Sequence, residues 1–150
     1  LFRSNTGNAD VEISYRESPN KMVMDTFHVN VDMGSLVVRN LSRARSRNIH
    51  AEVGFGNALL DFSERPQVES YVHGFVGAGE LLILLPEATV PVIVRVNDSW
   101  FSSVLFPDDF RQVDENLFAN PAYFNSKAHA LQFDLDCAMG RIILQGKSKN

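Results

Sequence analysis

Cysteine occurs once, at Cys137, so the chain closes no disulfide within itself, and cysteine usage leaves the redox compartment open. Long apolar runs are missing too. The longest, Leu81 to Leu85, stops at Pro86, far short of the roughly 20 residues a membrane-crossing helix needs. No stretch of about 11 residues keeps the i, i+3, i+4, i+7 spacing of an amphipathic helix with caps at both ends, which argues against helical layers. Nor is there an excess of positive charge. Fourteen basic against eighteen acidic residues give a net charge of −4, the wrong sign for a nucleic-acid groove and too mild for an acidic tail. Residue 1 is Leu rather than Met, so the sequence reads as a processed or trimmed piece, and membrane attachment through a segment outside it stays open.

Catalytic signatures are equally scarce. The four histidines show no HExxH spacing, no paired CxxC accompanies Cys137, and no G-x-S-x-G elbow is present. Gly54-Phe55-Gly56 and Gly77-Ala78-Gly79 are followed by apolar strand rather than a helix N-terminus, so they offer no aligned N–H groups to a phosphate. No catalytic set, cofactor or metal site is expected, and the chain does not read as an enzyme.

What is present is a repeat. Met33-Gly34-Ser35-Leu36-Val37-Val38, Phe55-Gly56-Asn57-Ala58-Leu59-Leu60 and Ala78-Gly79-Glu80-Leu81-Leu82-Ile83 share a glycine, then a polar residue, then three apolar ones. Phe101-Ser102-Ser103-Val104-Leu105-Phe106, with serine for glycine, and Met139-Gly140-Arg141-Ile142-Ile143-Leu144 continue the series, at successive spacings of 22, 23, 23 and 38. Upstream the chain alternates with a period of two, as in Phe27, Val29, Val31, Met33, or Leu131, Phe133, Leu135, Cys137, Met139, the pattern of half-buried strands. Three residues before the aligned position stand Val31, Val53, Val76 and Cys137, with Ser99 breaking the row in the serine copy.

A coil of this length holds about two strands of five or six residues with their turns and cannot bury its own apolar face. Stacking equivalent strands at roughly 4.8 Å solves that problem. The expected fold is therefore all-β: one domain over residues 1–150, a β-solenoid-like stack of about five short coils with an irregular insert at about 107–130. The glycine is expected at a corner that needs positive φ, with close approach of neighbouring coils as the second explanation. His28, His50 and His73 share the coil period and should form one outward column, read first as a solvated ladder, with a metal site or a pH-sensing patch as the alternatives. Asp134 and Asp136 fall on the outer face of the last strand, and Cys137 is a small core residue.

The insert carries Phe110, Phe118, Tyr123 and Phe124 among turn residues, with Trp100 near its start. Two roles fit: folding back over an open solenoid end, or protruding to meet a partner. Arg39, Arg43, Arg45 and Arg47 form the densest run of charge, between the first two motifs, either a solvated turn or an anionic contact. The candidate partner contacts are thus Trp100, Phe110, Phe118, Tyr123, Phe124, Arg43, Arg45 and Arg47.

The coils Val53-Gly54-Phe55-Gly56-Asn57-Ala58-Leu59-Leu60-Asp61-Phe62-Ser63 and Val76-Gly77-Ala78-Gly79-Glu80-Leu81-Leu82-Ile83-Leu84-Leu85-Pro86 resemble bacterial toast-rack domains. The resemblance runs from Val29 to Val96 and again from Leu131 to Leu144. Such domains occur as candidate adhesins and as the C-terminal part of Lia-type envelope-stress membrane proteins. The resemblance implies a bacterial cell envelope location, exported or membrane-attached, and a non-catalytic role as scaffold, sensor or protein-interaction module. The expected partner is an envelope protein or a second copy of the chain. The alternative is an adhesive or glycan-binding module using the aromatics of residues 100–124.

Overall fold

Strand-forming alternation and turn-rich connectors dictate a sheet, and the computed structural model, which describes residues 1–16, 18–97 and 99–147, is built on one. Four long strands follow each other, β1 (Phe2–Ser14), β2 (Met24–Arg39), β3 (Ser46–Asp61) and β4 (Ser70–Leu84). Shorter ones come next, β5 (Val92–Asn97), β6 (Ser102–Leu105), β7 (Arg111–Asp114) and β8 (Leu117–Ala119), then the single-turn helix α1 (Pro121–Asn125) and the long strand β9 (Leu131–Gln145). All nine strands belong to one open sheet in the order β1-β2-β3-β4-β9-β5-β8-β7, with β6 pairing to β9 beside β5. The fold is all-β and solenoid-like, as the repeats require.

The coils of β1, β2, β3, β4 and β9 are each one continuous strand creased in the middle, and only the fourth coil is divided into two strands, β5 and β6. In β2 the buried side chains are Phe27, Val29 and Val31 before the crease and Leu36 and Val38 after it, so the inward face switches from odd to even positions. The switch happens at Gly34, Gly56, Gly79 and Gly140, all at φ between +129° and +140° and all in register. Both explanations for the glycine hold at once. A Cβ on Gly56 would stand 2.8 Å from the carbonyl carbon of Gly34 and nearer still to its oxygen, so neither the φ nor the coil spacing admits a side chain.

The crease folds the two arms of every coil face to face over a single core. A Cβ on Gly74 would meet Leu81 of its own coil and Leu135 of the next at 3.1 Å, which shows the arms opposed with large side chains filling the space that glycine leaves. The row of Val31, Val53, Val76 and Cys137 stacks as expected, fully buried. Residues Val29, Ala51 and Gly74 form the neighbouring row.

Spatial order departs from chain order. The last repeat, β9, lies between the third coil (β4) and the fourth (β5 and β6), parallel to both. The chain skips one position after β4, builds the far coil, crosses through the insert and returns to fill the gap. An additional coil precedes the first motif: β1 pairs with β2 from Phe27 to Arg39, with Phe2 stacked on Phe27 at 4.8 Å between ring centroids.

Candidate functional site

Because the inward parity reverses at each crease, the residue just before the glycine is turned out instead of in. Met33, Phe55, Ala78 and Met139 are in register across β2, β3, β4 and β9. Phe55 is 63% exposed, and Met33 and Met139 are at least half exposed. The fourth coil continues this row with Phe101, which is 73% exposed and accepts the Gly140 N–H on its carbonyl at 3.0 Å. At about 4.8 Å per coil, these five positions form an apolar ridge about 19 Å long.

Trp100 stands beside the end of the ridge. From Val96 to Ser102 the fourth coil takes six steps where its neighbour takes five from Leu135 to Gly140, so one extra residue must bulge from the corner. Serines hold the bulge at both ends. The Ser99 N–H donates to Ser102 Oγ at 2.9 Å, the Ser102 N–H to the Ser99 carbonyl at 3.1 Å, and Ser99 Oγ to the Ala138 carbonyl at 2.5 Å. The indole is thereby presented 100% exposed on a fixed turn. Ser102 does occupy the glycine register, while Ser99, counted as a gap in the valine row, belongs to this turn.

The remaining sequence-named residues fall elsewhere. The hairpin β7–β8 adds antiparallel strands outside β5 and covers that end of the sheet. Phe110 and Phe118 are partly buried there, both stacked on Phe106, at 5.7 and 4.3 Å between centroids. Tyr123 packs edge-on against Phe124 under the Lys127 ammonium, and of this pair only Phe124 is well exposed. Buried Asn120 caps α1 and ties it to the sheet: its Oδ1 accepts the N–H groups of Val92 and Tyr123, and its Nδ2 donates to the Val90 carbonyl. Arg43 grips Glu64 with two charge-assisted bonds of 2.7 and 2.6 Å and donates to the Arg16 carbonyl, while Arg45 donates to the carbonyls of Asn20 and Lys21. Both knit successive connectors together. Arg47 alone of the three is exposed.

On the outer face of the first arms, the histidine column exists. His28 and His50 are 5.9 Å apart between ring centroids, and His50 and His73 5.8 Å. Partial burial holds the His50 imidazole below its ordinary pKa, with the neighbouring His73 and His28 adding to the effect and Glu52 opposing it. The next rung after His73 is Asp134. Tyr71 Oη donates to its Oδ2 at 3.1 Å and Asn97 Nδ2 to its Oδ1 at 3.0 Å. Burial, and then this hydrogen bond, raise the Tyr71 phenol.

The apolar ridge was readable only in part. Its members share one aligned position, the residue before the glycine, but their place in the alternation marks them as inward. Only the parity switch at the crease turns them out.

No family model and no curated protein sequence matches the chain. Among solved structures it is similar to a candidate cell adhesion protein from Clostridium sporogenes ATCC 15579, with a TM-score of 0.74 and 21% identity over 85% of this chain. The chain spans 58% of the length of that protein. At this identity the likeness concerns the fold.

Proposed function

We propose that this domain is a non-catalytic interaction module of the bacterial cell envelope, exported or membrane-attached, which adheres to a protein partner through its apolar corner ridge. The observation that carries the reading is the ridge itself. Phe101, Phe55, Met33 and Met139, with Trp100 at the end, are held out to solvent in register on a rigid stacked scaffold. Large exposed apolar surface costs solubility, and aromatic anchors with methionines are the residue types that dominate protein interfaces. A stack of coils keeps them at fixed spacing, so little ordering entropy is lost when a partner docks. The adhesion role named for the structurally similar clostridial protein is in keeping with this reading. Arg47 and Phe124, which are exposed elsewhere on the surface, are secondary contacts in it.

The test compares beads coated with the domain and with the variant Phe55→Ser, Trp100→Ser, Phe101→Ser, for retention on envelope preparations and on intact cells. All three side chains are exposed, so the variant should keep its melting temperature. Loss of anchors worth about 2 kcal/mol or more each should reduce retention at least tenfold. Unchanged retention would move the contact off the ridge. Retention that is competed by free glycans, with hits on a glycan array, would instead favour the carbohydrate-binding reading through Trp100.

A further inference from the structure

The outer face of the first arms carries a second constellation, at the point where the histidine column meets β9. Asp134 lies directly across from His73, and Asp136 follows two residues later on the same outward face. One ligand atom from each of His73, Asp134 and Asp136 lies within 4.8 Å of the others, all three side chains partly buried. Two atoms bound to a common ion at about 2.1 Å can be at most about 4.2 Å apart, so small side-chain rotations close the set.

Three features separate this set from ordinary solvated acids. The two carboxylates are two apart on one strand face, where like charges repel. Arg95, in register with Asp134 on β5, makes no ion pair with either carboxylate among the described residues. Asp134 is also already oriented: the Tyr71 hydroxyl and the Asn97 amide each hold one of its oxygens, the role outer partners play around a metal-binding carboxylate. One imidazole nitrogen and two carboxylates, with positions left open toward solvent, suit a first-row divalent cation better than calcium, which prefers all-oxygen shells.

We propose that His73, Asp134 and Asp136 form a surface site for a divalent transition metal such as Zn2+, with Tyr71 and Asn97 as outer-shell partners. The site is separate from the corner ridge and does not depend on the interaction role. A cation bridging β4 and β9 would clamp the returning last repeat to the third coil.

Isothermal titration of the chelator-treated domain with ZnCl2 tests this. One Zn2+ per chain is expected. Asp136→Asn and His73→Ala should each weaken binding at least tenfold, Tyr71→Phe should weaken it by about 10-fold or more through the outer shell, and His28→Ala, two rungs away, should change it less than twofold. Circular dichroism checks that each variant is folded, and the nearly isosteric Asp136→Asn guards against a structural effect. Absence of Zn2+ binding by the parent domain would overturn the proposal. So would binding that survives Asp136→Asn, or binding that is lost in His28→Ala as fully as in His73→Ala, since the ion would then sit on the histidine column.

Discussion

Replacing Gly56 by alanine is the sharpest test of how the coils are creased. Two costs fall on that substitution. At φ +139° an L side chain sits in a region that costs on the order of 1–3 kcal/mol to occupy. The new Cβ would also overlap the Gly34 carbonyl of the neighbouring coil, and overpacking of this kind costs about 1–3 kcal/mol when the backbone can shift. Together they amount to about 2–6 kcal/mol, a large share of the ~5–15 kcal/mol that stabilises a native domain. With a urea m-value of about 2 kcal/mol/M, the unfolding midpoint should fall by about 1–3 M. Two companions separate the contributions. Gly54 has no positive φ, but a Cβ there would stand 2.5 Å from the Asp32 carbonyl oxygen, so Gly54→Ala should show the packing cost alone, about 1–3 kcal/mol. Gly7 has nothing within 4 Å of its would-be Cβ, and Gly7→Ala should stay within about 0.5 kcal/mol of the parent. Equal midpoints for Gly56→Ala and Gly7→Ala would refute the reasoning, and equal losses for Gly56→Ala and Gly54→Ala would remove the backbone contribution.

Asn120→Ala should cost about 2–5 kcal/mol in urea denaturation, because it leaves the buried Val92 N–H and Val90 carbonyl without partners; faster amide exchange at Val92 would accompany it. Burial pushes the Cys137 thiol up despite the opposing Met139 backbone hydrogen bond, so maleimide should label it readily in urea and hardly at all in native buffer near neutral pH over the same interval. Cys137→Val should fold with a change under about 1.5 kcal/mol, since Val53 and Val76 fill the same row.

Much of the scaffold was legible because a stacked coil repeats its requirements. The aligned glycines, the valine row ending in Cys137 and the histidine column each follow from one residue type recurring at the coil period, and each is in register in the structure. The first coil escaped notice for a physical reason. It lies at the edge of the sheet, only half covered, so Ser4, Thr6 and Asn8 stand where its neighbours carry apolar residues, and Ala9 occupies the glycine register. The exposure of Met33, Phe55 and Met139 was hidden because alternation counts positions along a strand, and a crease resets the count.

The sequence by itself determined the unit: a coil of alternating apolar residues with glycine at its corner, unable to bury its face alone and so obliged to stack. Tertiary structure decided the order of stacking. Every coil presents the same ladder of backbone donors and acceptors, so the hydrogen bonds alone permit β9 to follow the fourth coil as readily as to enter between β4 and β5. Its actual place depends on side-chain fit between particular neighbours, such as Leu135 filling the space over Gly74, and on an insert long enough to carry the chain back. That same placement sets Asp134 and Asp136 beside His73, and Phe101 next to Met139, so both candidate sites depend on a stacking order that the repeat pattern leaves open.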